Sequence, residues 1–148
     1  NNAKVNRKIR TIIKNQLVPV ICVGEQATEE DSHGWKVVLA TQISSALYTC
    51  GPEDRYIFAY EPGASIGTGK PLLPDVAGER AGFIKDTVES FYDGYRTFPV
   101  PVVYGGSVNN INSEDYLAQP NIDGLLIGVS SLHHDQFCQI IKIANAAN

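Results

Sequence analysis

The sequence predicts an α/β protein in which a parallel sheet is covered by helices. Three observations favour this class: short apolar runs of strand length, longer segments with apolar residues at helical spacing, and regular alternation of the two along the chain. Strands that alternate with helices in this way pair in parallel through right-handed crossovers. With 148 residues and 43% hydrophobic content, the chain can bury a core as a single domain over residues 1–148.

The chain opens on a helix, and four strand–helix units follow it. Val5, Ile9, Ile12 and Ile13 fall on one face of the opening helix. The predicted strands are the apolar runs at 18–24, 56–60, 100–104 and 122–127.

The helices that follow these strands are read from their apolar stripes and their ends. Gly51-Pro52 ends the first of them, Pro74 suits the first position of the second, and Asn112 or Ser113 caps a short third one. Their stripes are Trp35, Val38, Leu39, Ile43, Ala46 and Leu47, then Ala77, Ala81, Ile84 and Val88, then Tyr116 and Leu117, and finally Phe137, Ile140, Ile141 and Ala144.

The segment 57–70 holds the candidate chemistry. A buried strand ends at Glu61, and an unpaired charge is costly inside a sheet, so Glu61 is expected where the strand emerges, with Pro62 and Gly63 turning the chain away. Glycines at 63, 67 and 69 allow backbone N–H groups to point at an anion. A carboxylate base beside an anion-binding loop suggests chemistry on a small phosphorylated substrate.

Composition limits the alternatives. The net charge is −4 without a basic run, which argues against nucleic acid or an anionic membrane as the main partner. No apolar run reaches membrane-spanning length and no signal peptide is visible, so we expect a cytoplasmic protein. The three cysteines lack metal-ligand spacing, and we expect no metal. Because the chain begins Asn1-Asn2 and contains no Met, we expect a fragment, a processed product or one portion of a longer protein.

Four motifs resemble the triosephosphate isomerase family, in the family's order. Glu61-Pro62 followed by Ile-Gly-Thr-Gly-Lys at 66–70 resembles its catalytic strand and flexible loop six. Tyr-Gly-Gly-Ser-Val at 104–108 resembles its strand-seven phosphate loop, while 122–128 resembles its last strand and 20–25 its fifth. The resemblance covers only the family's second half. It implies the C-terminal half of a TIM (β/α)8 barrel, a partial domain running from the family's fourth helix through its βα units five to eight.

The resemblance also implies an activity. Glu61 would be the base that interconverts dihydroxyacetone phosphate and glyceraldehyde 3-phosphate through an enediolate, in glycolysis and gluconeogenesis, without cofactor or metal. The substrate phosphate would be bound by N–H groups of Gly67, Ser107, Gly128 and Val129. Residues Pro62, Gly63 and Ala64 would form the loop hinge.

Two departures from the family keep alternatives open. Family members usually carry Val-Trp-Ala where this chain has Gly63-Ala64-Ser65, and a glycine where it has Val129. The loop would then be more mobile, or would close on a substrate of another size. The alternatives are an isomerase for a four-carbon sugar phosphate and a non-catalytic phosphate-binding remnant.

The family's electrophilic residues belong to its first half and have no counterpart here. We therefore expect a missing N-terminal half-barrel as partner, a homodimer when complete, and little activity from this chain alone. His33, His133 and His134 are expected in surface or capping roles. Lys70 is expected to be solvated, and Glu25 to be structural. A further expectation is that Asp123 pairs with Lys85.

Overall fold

Helices and strands alternate in the computed structural model, which describes residues 2–26, 34–65 and 70–147. Helix α1 (Asn2–Lys14) is followed by the strands β1 (Val20–Val23), β2 (Ile57–Tyr60), β3 (Val102–Tyr104) and β4 (Gly124–Leu125). The helices between and after them are α2 (Gly34–Leu47), α3 (Pro74–Phe91), α4 (Ser113–Leu117), a 3-10 helix (Val129–Leu132) and α5 (His134–Ala147).

The four strands form one sheet in the order β1-β2-β3-β4, and every pair is parallel. Sequential order with helical crossovers is the arrangement of a singly wound barrel, whereas a doubly wound sheet reverses its strand order at a switch point. The predicted α/β class with four parallel strands is confirmed, and the open sheet is consistent with a partial TIM barrel.

The strands are shorter than predicted, and two prolines explain the later starts of β1 and β3. Pro19 and Pro101 lie inside the predicted strands 18–24 and 100–104, but proline has no N–H for the ladder. Their carbonyls still accept bonds, from Ile57 N at 3.0 Å and from Phe58 N at 3.0 Å. β4 lies at the edge of the sheet and pairs only with β3.

The core lies between the sheet and the helices on one of its faces. Alternate strand residues point into it because side chains alternate along a strand. Phe58, Val102, Leu39 and Ile84 are fully buried there. On the opposite face of β1, Val20 is 50% exposed and Cys22 is exposed as well.

Two local predictions on α3 are confirmed. Pro74 occupies its first turn, and Lys85 Nζ lies 2.9 Å from Asp123 Oδ2. Asp123 Oδ2 also accepts a hydrogen bond from Val102 N at 2.7 Å, so one carboxylate joins α3, β3 and the start of β4.

The start of α4 differs from the prediction. Asn112 is the residue before the helix, but its side chain makes no capping hydrogen bond. Its amide donates to Ser107 O at 3.0 Å and its Oδ1 accepts from Asn109 N at 2.8 Å. Asn112 thus stabilises the loop after β3 instead of the helix. None of the helices in the described part of the chain has the length and apolar character needed to span a bilayer.

Candidate active site

Backbone hydrogen bonds between neighbouring strands of the sheet continue past the strand ends, and they align the carboxyl ends of the strands. Glu61 N donates to Val23 O at 2.8 Å, Gly105 N donates to Tyr60 O at 2.8 Å, and Leu126 N donates to Tyr104 O at 2.9 Å. The residues that follow β2, β3 and β4 therefore lie side by side at one rim, where parallel α/β sheets bind ligands.

A cavity of about 560 Å³ opens at this rim. Glu61 lines it together with Ser107, Gly128 and Val129, so four of the five predicted catalytic and phosphate-binding residues share one cavity. The fifth, Gly67, lies outside the described residues, as do 66 and 68–69. The other lining residues are Gly105, Gly106, Val108, Asn109, Leu126, Ile127 and Ser130.

Glu61 fits this position because two glycines leave space beside it. A Cβ at Gly105 would lie 2.7 Å from Glu61 Cγ, and one at Gly24 would lie 1.9 Å from the Glu61 carbonyl oxygen. Gln42 fixes Gly24 from the other side, accepting from its N at 2.9 Å and donating to its O at 3.0 Å. The carboxylate and its backbone are thus both positioned by close packing.

Cys22 is a neighbour of Glu61 that sequence reasoning missed. In the β1–β2 register Cys22 pairs with Ala59, and Glu61, two residues further on, projects to the same face. Partial burial, then the hydrogen bond to Glu61 and the charge of its carboxylate, raise the pKa of Cys22 from 9.0 to about 12. The alternation of side chains along β1 and β2, once the register of the two strands is considered, could have identified Cys22 as a neighbour of Glu61.

Glu25 lies behind the site rather than in the cavity. Its side chain is 2% exposed, and its Oε1 accepts a hydrogen bond from Tyr60 Oη at 2.8 Å. Burial first, and then the nearby Glu25 carboxylate, raise the pKa of Tyr60. Because Tyr60 directly precedes Glu61, this buried pair fixes the end of β2.

Hydrogen bonds hold the predicted hinge before residue 66. Gly63 N donates to Glu25 O at 2.8 Å, and Ser65 N donates to Pro62 O at 2.9 Å. From the loop after β3, the Ser107 hydroxyl donates to Ser65 O at 2.6 Å. The hinge is therefore joined to the segments that follow β1 and β3, of which the second lines the cavity.

Two tyrosines hold Leu72, at the C-terminal end of loop 61–72. Leu72 N donates to Tyr104 Oη at 3.2 Å, and Tyr116 Oη donates to Leu72 O. The rings of Tyr104 and Tyr116 stack with centroids 4.3 Å apart. Both ends of loop 61–72 are thus attached to β3 and the segment that follows it.

A hydrogen bond connects the two predicted phosphate-binding segments, the loop after β3 and the segment after β4. Ser130 is buried, and its Oγ donates to Val108 O at 2.8 Å. The 3-10 helix that carries Ser130 begins directly after Gly128, so the N–H groups at 128–130 lie at the start of a helix beside the 105–108 loop, whereas Ser131 N already donates to Gly128 O at 3.0 Å. Backbone N–H groups at a helix start favour an anion.

The cavity as described contains one ionisable side chain, that of Glu61. No Lys, Arg or His is among its described lining residues. A search of residues 2–26, 34–65 and 70–147 finds no group of three or more His, Cys, Asp or Glu side chains suited to a metal ion. The arrangement provides a carboxylate and a backbone anion site.

Comparison with known proteins agrees with this geometry. The family model described as triosephosphate isomerase matches residues 1–144. The chain belongs to the triosephosphate isomerase family. The triosephosphate isomerase of Buchnera aphidicola subsp. Schizaphis graminum is 37% identical over 148 residues, covering 99% of this chain and 58% of the relative.

Two further triosephosphate isomerases show the same pattern. That of Erwinia tasmaniensis is 38% identical over 97% of this chain and 56% of the relative. That of Dehalococcoides mccartyi is 35% identical over 95% of this chain and 55% of the relative. The chain thus spans somewhat more than half the length of these triosephosphate isomerases.

Proposed function

We propose that this chain supplies the catalytic base and the phosphate-binding loops of a triosephosphate isomerase. The observation that carries the proposal is the shared cavity: the Glu61 carboxylate lines it together with Ser107, Gly128 and Val129. Membership in the family, whose members are named for this reaction, supports the substrate pair dihydroxyacetone phosphate and glyceraldehyde 3-phosphate.

In the proposed reaction Glu61 acts as a general base. Its carboxylate removes a proton from the hydroxymethyl carbon of dihydroxyacetone phosphate, and the electron pair moves into an enediolate. A proton moves from the hydroxyl oxygen on the first carbon to the oxygen on the second, and the carboxylic acid returns its own proton to the second carbon, which gives the aldehyde. One carboxylate can serve both carbons because they are neighbours, and a positioned base contributes about 10²–10⁴-fold to such a step.

The phosphate would be held by backbone N–H groups of Gly67, Ser107, Gly128 and Val129. Binding through backbone groups positions the substrate without placing a cation next to the base. The residues that polarise the carbonyl are proposed to come from an N-terminal half-barrel, because the described cavity offers no cationic side chain. Oxyanion stabilisation is usually the largest catalytic term, so we expect the chain alone to be inactive.

The test is an isomerase assay on the complete protein that contains this chain. Replacing Glu61→Gln removes the base while keeping the side-chain shape, and kcat/KM is expected to fall by at least about 100-fold. Glu53→Gln is the matched control, since Glu53 is exposed on the turn before β2, away from the cavity, and should leave the rate unchanged. Retained activity in Glu61→Gln would refute the proposal.

The same assay distinguishes the alternatives. If the four-carbon sugar phosphate has the higher kcat/KM, the substrate assignment fails while the base assignment stands. If the wild-type protein binds inorganic phosphate in the cavity and turns over neither substrate, the non-catalytic alternative is supported instead.

A further inference from the structure

Helix α1 carries a strong local charge that the overall composition hides. Five of the chain's 12 Lys and Arg residues lie between positions 4 and 14, and this helix contains no acidic residue, although the chain as a whole has a net charge of −4. All five are exposed: Lys4, Arg7, Lys8, Arg10 and Lys14. Among the described residues none of them has an ion-pair partner.

Three of these cations line a groove between α1 and the end of α2. The groove has a volume of about 370 Å³ and is lined by Arg7, Arg10 and Lys14, with the hydroxyl-bearing residues Thr11 and Thr49. Residues 7, 10, 11 and 14 fall on one stripe of the helix because they are spaced by three or four positions. Lys4 and Lys8 belong to the same helix but do not line the groove.

The groove is held in shape by hydrogen bonds between the two helices. Asn6 Nδ2 donates to Ala46 O at 2.7 Å, Thr49 Oγ1 donates to Asn6 Oδ1 at 3.1 Å, and Asn2 Nδ2 donates to Ser45 Oγ at 3.3 Å. Fixed helices keep the cationic side chains within reach of one ligand, which lowers the ordering cost of binding.

One acidic residue also lines the groove. Asp54 faces it, and its Oδ2 accepts a hydrogen bond from Gly51 N at 2.8 Å. Three cations against one carboxylate leave the groove positive. Cys50 also lines the groove; burial and then the Asp54 carboxylate raise its pKa, and the charge of Arg10 opposes that rise.

We propose that this groove is a second anion site, separate from the active-site cavity, which binds a short polyphosphate chain. Arg7 and Lys14 are seven residues apart, which is about 10 Å along a helix axis. A row of that length matches a chain of two or three phosphates better than a single phosphate. The ligand class is therefore an inorganic polyphosphate or the phosphate chain of a nucleoside triphosphate. Binding there is independent of the proposed isomerase reaction.

The test uses inorganic tripolyphosphate as the probe on the complete protein, with titration calorimetry and amide chemical shifts from ¹⁵N-labelled protein. Shifts are expected at residues 7–14 and 49–54, not at 105–108 or 128–131. Binding should weaken with added salt because the ligand is held by exposed charges. Inorganic monophosphate should bind the groove at least tenfold more weakly than tripolyphosphate.

Two double variants, each of which removes two positive charges from α1, distinguish a specific binding site from general attraction to a basic helix. Arg7→Gln with Arg10→Gln should weaken tripolyphosphate binding at least tenfold, while Lys4→Gln with Lys8→Gln should change it less than threefold. Gln has a helix propensity close to those of Lys and Arg, so α1 should persist in both. Circular dichroism and isomerase activity serve as controls for folding.

Adenosine triphosphate is the second probe, and it distinguishes the two sources of the ligand. Affinity equal to that of tripolyphosphate assigns recognition to the phosphate chain, and tighter binding adds a contact to the nucleoside. Equal losses in the two double variants, shifts confined to the active-site cavity, or no binding of tripolyphosphate would each overturn the proposal.

Discussion

At the scale of single residues, the two glycines beside Glu61 differ in what a side chain would meet. At Gly105 the nearest atom is Glu61 Cγ, at 2.7 Å, which belongs to a side chain that can move. At Gly24 it is the Glu61 carbonyl oxygen, at 1.9 Å, which belongs to the sheet backbone. The first glycine therefore positions the proposed base, and the second permits the strands to approach.

The two alanine variants should therefore affect different properties: Gly105→Ala should lower the activity, and Gly24→Ala should lower the stability. Gly105→Ala displaces the carboxylate, and kcat/KM is expected to fall by about 100-fold, as for a misplacement of roughly 1 Å. Gly24→Ala forces the backbone apart and should reduce the free energy of unfolding by roughly 3 kcal/mol. Urea unfolding and the isomerase assay measure both quantities. A Gly105→Ala protein with full activity would contradict the proposed position of Glu61.

The Cys22 thiol gives a probe of the Glu61 charge. Since partial burial and the adjacent carboxylate raise its pKa to about 12, little thiolate should form at pH 9. In Glu61→Gln the carboxylate contribution disappears, the pKa falls, and alkylation of Cys22 by iodoacetamide at pH 9 should become faster. Mass spectrometry of the labelled peptide follows the rate. Unchanged labelling of Cys22 would place the carboxylate elsewhere.

At the scale of secondary-structure elements, Asp123 joins three of them. Its carboxylate accepts from Val102 N at 2.7 Å and lies 2.9 Å from Lys85 Nζ. These two contacts differ in kind: the first satisfies a strand N–H, while the second is a partly exposed ion pair, with side chains 27% and 41% exposed.

The hydrogen bond to the strand should therefore contribute more to the free energy of unfolding than the ion pair does. Asp123→Ala is expected to lower the free energy of unfolding by about 2 kcal/mol, because it removes a charge-assisted bond and leaves an N–H without its acceptor. Lys85→Ala should cost less than about 1 kcal/mol, and only that part should decrease in high salt. A double-mutant cycle in urea measures the pair. A larger loss for Lys85→Ala than for Asp123→Ala would reverse this assignment.

Element boundaries show where sequence patterns stop being informative. The four strands and the helices after them were predictable because apolar periodicity reports the buried face. Prolines at 19 and 101 delay the starts of β1 and β3, a limit that apolar periodicity alone does not show. Asn112 was assigned to a helix cap, but its amide is used by the neighbouring loop, a choice that depends on tertiary contacts.

At the scale of the whole molecule, the rim residues were predictable and their contacts were not. Glu61, Ser107, Gly128 and Val129 share one cavity because parallel strands expose their carboxyl ends on the same side. The pairing of Tyr60 with Glu25 depends on strand register and packing, which one sequence does not determine.

The whole molecule should lose stability in alkali. Burial is the largest cause of a raised pKa at six groups: Cys22, Cys50, Tyr56, Tyr60, Tyr92 and Tyr116. A raised pKa disfavours ionisation in the folded state, so its contribution is complete below the unfolded values of 9.0 for Cys and 10.0 for Tyr, and is lost as pH rises above them. Tm should therefore fall progressively above about pH 9.

Thermal unfolding at a series of pH values checks this expectation. Each kcal/mol lost corresponds to roughly 2–4 °C in Tm for a chain of this size. Tyr116→Phe should make the alkaline decline shallower, and Tyr48→Phe should not, because Tyr48 is 81% exposed. A constant Tm up to pH 11 would show that these groups do not ionise on unfolding.

The central claim, that Glu61 is the base of an enediolate reaction, is tested most directly by solvent exchange. Dihydroxyacetone phosphate is incubated in D₂O with the complete protein, and loss of the hydroxymethyl proton signal is followed by ¹H NMR. The wild-type protein is expected to exchange this proton, and Glu61→Gln to reduce the exchange rate by at least about 100-fold. Exchange at the wild-type rate in Glu61→Gln would contradict the account.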